Sequence, residues 1–273
     1  MRLVKGVLER CLEVLELLAA DARGMRLSDI ASRLDLPKGP THRLLAELCE
    51  QHWVEQDAST DQYRLTLKLS LLGAQYLHGT GLPGLVQPIL DGVAAQCREL
   101  VRVTVVEGRG LAWLASAQGA APGLMYQPAM TGAIALHATA NGKAWLATMS
   151  DEDATRYALQ GGLGKRGPWG PRAVKTVGGL IKELHATRKR GYGVALEEAE
   201  PGVGAIAVAI RAGVKGPAVG TMSVAGPLLR VGPARHEEFH GLLRNAAETL
   251  GSIWPRGPAL EEKARWTASA SKV

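Results

Sequence analysis

The sequence predicts an α+β chain with two domains of different construction. Residues 27–64 contain two short helical patterns and then a small hairpin pattern, which together indicate a compact, mainly helical module. From about residue 82, strand patterns and helical patterns follow one another to residue 253. Hairpins that alternate with helices favour a mostly antiparallel sheet flanked by helices. We therefore expect a small domain over residues 1–65, a connecting helix over 66–81, a larger domain over 82–257 and a polar tail over 258–273.

The first domain begins with a longer helix whose apolar stripe is expected to carry the two short helices. The stripe consists of Val7, Leu8, Cys11, Leu12, Leu15 and Leu18,. The first short helix follows the cap pair Ser28-Asp29, and its apolar residues at helical spacing are Leu27, Ile30, Ala31 and Leu34,. Asp35-Leu36-Pro37 then breaks it.

The second short helix has a basic start, which predicts a DNA-reading element. Gly39 is a tolerable N-cap and Pro40 suits the first helical position, while Leu44, Leu45 and Leu48 are expected to face inward.

The hairpin that follows pairs Trp53-Val54-Glu55 with Tyr63-Arg64-Leu65 across a polar turn. A short turn, a basic helix start and a hairpin in this order are typical of a winged helix-turn-helix. The predicted contacts to double-stranded DNA are Lys38, Gly39, Pro40, Thr41, His42, Arg43 and Arg64. The alternative is a three-helix packing unit whose charges are only solvated.

The connecting helix is apolar on two faces. Its stripes are Leu65, Leu69, Leu72 and Tyr76 on one side and Leu67, Leu71 and Ala74 on the other. Such a helix must be covered by its own domains or by a second subunit, which would bring two DNA-reading modules together. We therefore expect at least a homodimer.

The larger domain is expected to contain helices and strands in alternation. The predicted helices lie near residues 86–97, 142–146, 176–190 and 242–253, with a capping box at Ser150 and Asp153 before a further helix. The predicted strands lie near residues 101–105, 111–114, 205–210 and 218–224, and the last two form a hairpin. Such an arrangement leaves a concave site between sheet and loops.

Composition limits the kind of protein. The formal charge of +6 and the pI near 9.3 fit a polyanionic partner, although charge alone defines no function. Cys11, Cys49 and Cys97 lie in apolar helical patterns, which favours free thiols in a reducing compartment over disulfides. The sequence contains no signal peptide pattern and no apolar run that would span a bilayer. We expect a soluble cytoplasmic protein without a cofactor.

Three segments make the chain resemble the isocitrate lyase regulator (IclR) family of bacterial transcription factors. They are residues 36–45 with the wing ending at Leu65, residues 136–144, and residues 190–193 with Glu197-Glu198, Gly202-Val203 and residues 223–227. The resemblance implies a winged helix-turn-helix, a dimerising linker helix and a C-terminal effector domain similar to a GAF domain. It also implies an effector-responsive regulator, which we take to be a repressor, assembled as a homodimer or homotetramer.

The chain departs from the family at several functional positions. Gly39 and Pro40 replace the usual hydroxyl pair at the start of the recognition helix, so an N-cap and a phosphate contact are lost. Where relatives that bind small carboxylates hold the anion, this chain keeps Ser223 but has Ala205, Ala225 and Ala195 or Leu196. A pocket that has lost polar side chains favours apolar area over a bare carboxylate, so we expect an aromatic or otherwise bulky acid or amide. The predicted effector site consists of Met130, Thr131, Ala140, Asn141, Ala205 and Ser223, with Asn141 and Ser223 at its polar end.

One competing motif suggests an enzyme. His236-Glu237-Glu238-Phe239-His240 matches the H-E-x-x-H pattern of zinc peptidases, with Glu261 or Glu262 as a third ligand. Its position at the start of a terminal helix predicts instead that both histidines face solvent. Two further residues are expected to be structural: Lys143 as a solvated or helix-capping lysine, and His137 as a packed, hydrogen-bonded histidine.

Overall fold

The chain divides into two units between Gly79 and Thr80. In this computed structural model the described residues are 6–128, 133–213 and 216–254. Among them, no helix is both long enough and apolar enough to cross a membrane. The predicted tail and the candidate zinc ligands Glu261 and Glu262 lie outside the described residues.

The first unit is a helical module with a small antiparallel sheet. Its helices are α1 (Val7–Ala19), α2 (Leu27–Arg33), α3 (Lys38–Glu50) and α4 (Lys68–Thr80). Its strands are β1 (Met25–Arg26), β2 (Val54–Gln56) and β3 (Gln62–Leu65), in the order β1-β3-β2. The predicted hairpin is confirmed, because Val54 pairs with Leu65 and Gln56 with Tyr63. The strand β1 was not predicted, since two residues carry no periodic pattern.

The core of the first unit uses only part of the stripe predicted for α1, from which Leu18 is buried and Leu15 packs half-buried against the core. Val14 and Leu18 of α1 are buried against Ile30, Leu45 and Tyr63. Three residues of the predicted stripe are instead exposed: Val7 by 62%, Leu8 by 73% and Leu12 by 51%. The apolar pattern of α1 is therefore wider than the surface that its own unit covers.

Both short helices begin earlier than their sequence signals suggested. The N-cap of α2 is Arg26, and no side chain caps this helix, so Ser28-Asp29 is not a cap pair. The N-cap of α3 is Pro37 rather than Gly39, because the Pro37 carbonyl already accepts the Thr41 N–H at 3.1 Å. Pro40 therefore occupies the third helical position, where its missing N–H still costs no helical hydrogen bond.

The second unit is an antiparallel sheet flanked by helices. Its helices are α5 (Leu82–Cys97), α6 (Ala140–Leu146), α7 (Asp151–Gln160), α8 (Val177–Arg190) and α9 (His236–Ile253). Its strands are β4 (Leu100–Glu107), β5 (Gly110–Gln118), β6 (Gly193–Leu196), β7 (Val203–Arg211) and β8 (Ala218–Pro227). These described strands form the large sheet in the order β5-β4-β8-β7-β6, with every neighbouring pair antiparallel. The predicted α+β architecture is confirmed, and β6 is the strand that the sequence did not indicate.

Local signals at the helix ends were the most accurate sequence predictions in this unit. The Ser150 hydroxyl accepts the Asp153 N–H at 3.1 Å, as the capping box requires,. The Thr176 hydroxyl caps α8 through the Gly179 N–H. Gly191 ends α8 with φ of 86°, a conformation that glycine adopts without steric cost,.

The large sheet is buried on both sides. Its apolar face, which includes Val101, Val103, Ile206, Met222 and Val224, packs against α5 and α9. The opposite face lies against α6, and we call it the polar face because Arg102, Thr104, Thr221 and Ser223 lie on it. All four of these polar residues are buried, so the polar positions of β4 and β8 do not face water.

The contact between α6 and the polar face is made by very small residues. Ala140 and Ala144 of α6 pack on Ala195 and Ala207 of the sheet. A Cβ atom at Gly193 would lie 2.4 Å from the Ala140 carbonyl oxygen and 2.8 Å from the Ala144 nitrogen. Backbone therefore meets backbone at this point, and no side chain larger than hydrogen fits at residue 193.

Candidate nucleic-acid interface and effector site

The exposed face of α3 is the candidate nucleic-acid interface. Its buried stripe consists of Thr41, Leu44, Leu45 and Leu48. At about 100° per residue, the direction opposite this stripe is that of Gly39, Arg43 and Ala46, and all three are exposed. Small residues flank Arg43 on this face, and the exposed Glu47 and Glu50 follow it toward the end of the helix.

Thr41 must be removed from the predicted DNA contacts. Its side chain is 0% exposed, and its hydroxyl donates to the Pro37 carbonyl over 2.9 Å. Threonine at this position satisfies the backbone at the start of α3 instead of facing outward. Pro40 is half-buried, so it offers little surface.

Lys38 and His42 lie on the side of α3 that faces the wing. They share a cleft of about 450 Å³ with residues of β1, α2 and the wing hairpin, namely Arg26, Leu27, Ser28, Gln56, Asp61 and Tyr63. The two residues are four positions apart in the chain, which places their side chains one above the other on the helix. The cleft thus joins the start of the recognition helix to the wing.

The wing hairpin is held by its own polar contacts. The predicted DNA contact Arg64 pairs with Glu55 across the hairpin at 2.6 Å, and both side chains are half exposed. In the turn, the Asp57 carboxylate accepts from the Ser59 hydroxyl and from the Ser59 and Thr60 N–H groups. These hydrogen bonds lower the pKa of Asp57 to about 2, so the turn is anionic and ordered at neutral pH.

The candidate effector site lies on the polar face, where a buried hydrogen-bond chain connects α6 to the sheet. The Asn141 amide donates to the Thr221 hydroxyl over 2.9 Å. The Thr221 and Thr104 hydroxyls share a hydrogen bond of 2.6 Å across β4 and β8. The predicted residue Asn141 is therefore in place, but its amide group is already bonded to the protein.

The other predicted effector residues are distributed around this chain. Ser223 is 1% exposed, and its hydroxyl has no hydrogen-bond partner among the described residues. Ala205 is half-buried and pairs with Ala195 and Ala225 on the neighbouring strands. Ala140 belongs to the contact between α6 and the sheet. Met130 and Thr131 lie outside the described residues.

Arg102 is the functional candidate that sequence reasoning missed. It lies directly opposite Ser223 in the pairing of β4 with β8, and it is 9% exposed. Its guanidinium group lies 3.9 Å from the Trp113 ring centre and 5.9 Å from that of Tyr126. Burial lowers the pKa of Arg102 from its ordinary value. The polar face therefore contains a buried cation that the predicted set of effector residues did not include.

A signal for Arg102 did exist in the sequence. Arg102 and Thr104 alternate with valines in β4, and Thr221 and Ser223 do the same in β8. Alternation predicts a strand whose two faces differ in polarity, but it does not predict what covers the polar face. Two such strands paired under a helix instead place their polar positions together in the interior.

Lys143 is the largest correction among the residues expected to be structural. It is 1% exposed, rather than solvated, and its ammonium group donates to the Val194 carbonyl over 2.8 Å and to Glu198 over 2.6 Å. Glu183 lies 3.6 Å from the same group. Burial raises the pKa of Glu198, and Lys143 opposes that shift. The cluster ties α6 to β6 and α8 just below the candidate effector site.

The histidines of the H-E-x-x-H motif do not both face solvent. His236 is 7% exposed, and its ring contacts the Tyr192 ring edge-on. The His240 ring lies 4.7 Å from the same tyrosine, and Glu237 accepts from the Tyr192 hydroxyl at 3.2 Å. Within residues 6–128, 133–213 and 216–254, no three His, Cys, Asp or Glu side chains are grouped as metal ligands.

His137 is packed, as predicted, against the edge of Trp169 at 5.2 Å. Its Nδ1 atom, however, has no hydrogen-bond partner among the described residues, so the predicted hydrogen bonding is absent at this nitrogen. Burial lowers the pKa of His137, and Lys143 adds to the shift. The imidazole is therefore held in its neutral form.

A separate cleft of about 740 Å³ lies between α6, α8, α9 and β7. Its lining includes Arg188, Tyr192, Arg211, His240 and Arg244. Among the described residues of its lining there is none of the predicted effector residues. Arg188, moreover, is bonded to Asp151 and to the carbonyl oxygens of Ala147 and Met149, so part of its positive charge is already satisfied.

The first unit also has an extended apolar surface along α4. No residue of α4 is buried in the unit. The exposed fractions are 74% for Leu67, 44% for Leu69, 66% for Leu71, 45% for Leu72 and 55% for Tyr76. Leu65 of the first predicted stripe lies instead in β3 and packs against the core of the first unit, whereas the five residues above are exposed.

Comparison with known proteins agrees with both units. Residues 7–58 match the IclR helix-turn-helix domain, and residues 74–252 match the family of bacterial transcriptional regulator IclR C-terminal domains. The chain is 28% identical over 244 residues to the transcriptional repressor IclR of Escherichia coli K12, covering 89% of this chain and 88% of that protein. It is 29% identical over 245 residues to the transcriptional repressor AllR of the same strain, covering 90% and 89%.

Solved structures are similar over nearly the whole length. A crystal structure of an IclR homolog from Microbacterium hydrocarbonoxydans, complexed with 4-hydroxybenzoate, is 25% identical and superimposes with a TM-score of 0.70. The match covers 96% of this chain and 100% of that one. The fold described above is thus similar to that of a homolog solved with a bound small molecule.

Proposed function

This chain belongs to the IclR family of bacterial transcriptional regulators, and we propose that it is a repressor that binds operator DNA as a dimer and responds to a small organic effector. The observation that carries the proposal is the exposed start of α3 beside the wing. Gly39, Arg43 and Ala46 project away from the buried stripe of that helix. This is the arrangement in which a recognition helix enters the major groove.

Arg43 is the residue whose loss tests the DNA interface most directly. Arginine reads a guanine edge through two hydrogen bonds, and such a contact contributes about 1–3 kcal/mol to discrimination. We expect Arg43→Ala to weaken binding by that amount to the upstream region of the gene that encodes the chain, measured by fluorescence anisotropy. Lys38→Ala should weaken binding to all sequences and reduce its salt dependence.

The matched control is Arg23→Ala, which removes one charge from the exposed turn after α1, where Arg23 lies beside Asp21. Its effect should be no larger than that of nonspecific charge loss. Unchanged binding when Arg43→Ala and Lys38→Ala are combined would place the interface elsewhere.

The uncovered apolar surface of α4 supports the proposed dimer. Large apolar side chains on a long exposed helix face are removed from water by a second copy of the chain. A dimer would present two copies of α3 to half-sites about one helical turn apart. We expect a dimeric or tetrameric mass by light scattering, and Leu71→Lys combined with Tyr76→Lys should reduce it to that of the monomer. A monomeric wild-type protein at micromolar concentration would contradict the proposal.

The effector proposal rests on the polar face of the second unit. The ligand in the Microbacterium structure is an aromatic acid, and Asn141, Ser223 and Ala205 of this chain lie together on the polar face and on the helix that covers it. We expect aromatic acids to raise the unfolding temperature more than glyoxylate or pyruvate, since a ligand that binds only the folded state stabilises it. Ser223→Leu should abolish this response and leave operator affinity intact, with Ser223→Ala as the control for folding. Tighter binding of glyoxylate than of every aromatic acid tested would show that the size argument is wrong.

A further inference from the structure

Arg102 is a buried cation without an acidic partner. Among the described residues, no carboxylate lies within ion-pair distance of its guanidinium group, and its Nε atom is buried with no hydrogen-bond partner. The Tyr126 hydroxyl beside it donates to Glu200 over 2.8 Å. The Glu200 carboxylate is therefore bonded to this hydroxyl instead of to Arg102 itself. Burying a charge that is incompletely paired is costly.

Two other arginines of the second unit show how a guanidinium group that stabilises the fold is paired there. Arg230 binds the buried Glu99 through two nitrogens, at 2.5 and 3.0 Å. Arg190 binds Glu183 at 2.6 Å and the Tyr192 carbonyl at 2.7 Å. Arg102 is more buried than either of them, and no carboxylate contacts its guanidinium group directly. The groups that favour its charged form are the Tyr126 hydroxyl and, beyond it, Glu200. The fold therefore gives Arg102 weaker pairing than it gives Arg190 or Arg230.

Ser223 supplies a second unsatisfied group at the same place. It is the direct cross-strand neighbour of Arg102 on the polar face, where opposed Cβ atoms lie about 5 Å apart. Its hydroxyl is buried and has no partner among the described residues. On its other side, Ser223 faces Ala207, which leaves apolar surface beside the two polar groups.

We infer that Arg102 and Ser223 form an anion subsite for the carboxylate of an aromatic or similarly bulky organic acid. This rests on the proposed function, because it assigns the charged end of the proposed effector. The guanidinium group offers parallel N–H donors that match the two oxygens of a carboxylate. Trp113 contacts the face of the guanidinium group, and the Nε atom on its edge has no hydrogen-bond partner among the described residues. Ala205 and Ala207 lie where the apolar part of the ligand would pack. An uncharged amide of the same shape would leave the cation unpaired.

The test uses two probes of equal size and different charge, benzoate and benzamide, with the full-length protein. We expect isothermal titration calorimetry to show benzoate binding to the wild type at least tenfold more tightly than benzamide. Arg102→Met should remove this preference by weakening benzoate alone. Arg109→Met, which removes an exposed charge from the turn between β4 and β5, should retain it.

A second readout does not depend on a ligand. If Arg102 serves binding, Arg102→Met without ligand should unfold at the same temperature as the wild type or higher, because a buried charge that no carboxylate contacts is removed. Unfolding several degrees lower, or a benzoate preference that survives in Arg102→Met, would assign Arg102 to structure and overturn the inference. Equal affinity for both probes, or no saturable benzoate binding by the wild type, would also overturn it. Operator binding, measured for all three proteins, separates these outcomes from failure of the regulator proposal itself.

Discussion

The apolar and polar faces of the large sheet come from the same strands and are equally buried, yet they are built for different tasks. The apolar face joins valine, isoleucine and methionine side chains to α5 and α9 in a continuous core. The polar face carries Arg102, Thr104, Thr221 and Ser223 under α6. Some of its polar groups are bonded to one another and some are left without partners. Burial by itself therefore does not identify the core of this protein. The hydrogen-bonding state of the buried groups distinguishes the stabilising face from the candidate binding face.

The largest expected change in the free energy of unfolding comes from the loss of Lys143, which lies beside the polar face. Lys143→Met leaves Glu198 buried without its cation, and breaking a buried pair in this way costs about 3–5 kcal/mol. Urea unfolding should show that loss, and adding Glu198→Gln should recover much of it because no unpaired charge remains. Lys182→Met on the exposed side of α8 serves as the control. A loss below about 1 kcal/mol would mean that solvent reaches the cluster.

The hydrogen-bond chain between α6 and the sheet gives the next effect. Thr221→Val keeps the shape of the side chain but removes the acceptor for Asn141 and the hydroxyl partner of Thr104, which keeps only its bond from the N–H of residue 221. Leaving buried polar groups unpaired costs about 1–3 kcal/mol. Thr249→Val on the exposed side of α9 should change the free energy of unfolding by less than about 0.5 kcal/mol. Equal effects of the two substitutions would show that the chain adds nothing to stability.

Removing a single methyl group from the apolar face should lower the free energy of unfolding by a smaller amount. Ile206 of β7 is 0% exposed in the centre of that face. Ile206→Val should lower the free energy of unfolding by about 0.5–1.5 kcal/mol without changing binding of benzoate or operator DNA. Ile253→Val, at a position 42% exposed near the end of α9, is the comparison. Altered ligand affinity in Ile206→Val would mean that the two faces are not independent.

The smallest expected effect is a dependence of stability on pH. Burial lowers the pKa of His137, near the polar face, and of His236, at the start of α9. A histidine whose pKa is depressed by folding contributes stability that is fully present above its unfolded pKa of about 6.5 and is lost as the pH falls through the folded pKa. Urea unfolding from pH 8 to pH 5.5 should therefore show falling stability, and His137→Gln with His236→Gln should flatten the decline. A steeper decline of stability in the double variant would show that these two histidines are not the cause of the pH dependence.

Features determined by neighbouring residues in the chain could be predicted from the sequence. The wing hairpin, the Ser150 cap and the Gly191 terminus depend on local backbone hydrogen bonds and on glycine conformation. Features determined by a distant partner could not. Lys143 finds its carboxylate 55 residues away, and β6 becomes a strand only because β7 pairs with it.

The candidate sites divide in the same way. The exposed direction of α3 follows from the helical period, whereas the burial of Thr41 depends on where the helix begins. The role inferred for Arg102 depends on the absence of a carboxylate in contact with it among the described residues. The sequence around residue 102 does not predict that absence. The stripe of α1 shows the related limit, since an apolar pattern predicts that a surface is covered but does not identify what covers it.

The contact between α6 and the sheet also determines how a signal could travel. Side chains that interdigitate can change rotamer and absorb a small movement, but at Gly193 the backbone of β6 meets the backbone of α6 directly. With no flexible layer between them, helix and strand must shift as one rigid piece. A ligand that displaces Asn141 by a fraction of an ångström would therefore move β6 by a similar distance instead of being accommodated locally. Gly193→Ala would force the backbones of α6 and β6 apart, because a Cβ atom does not fit between them. We expect this substitution to alter the response to every ligand of the site.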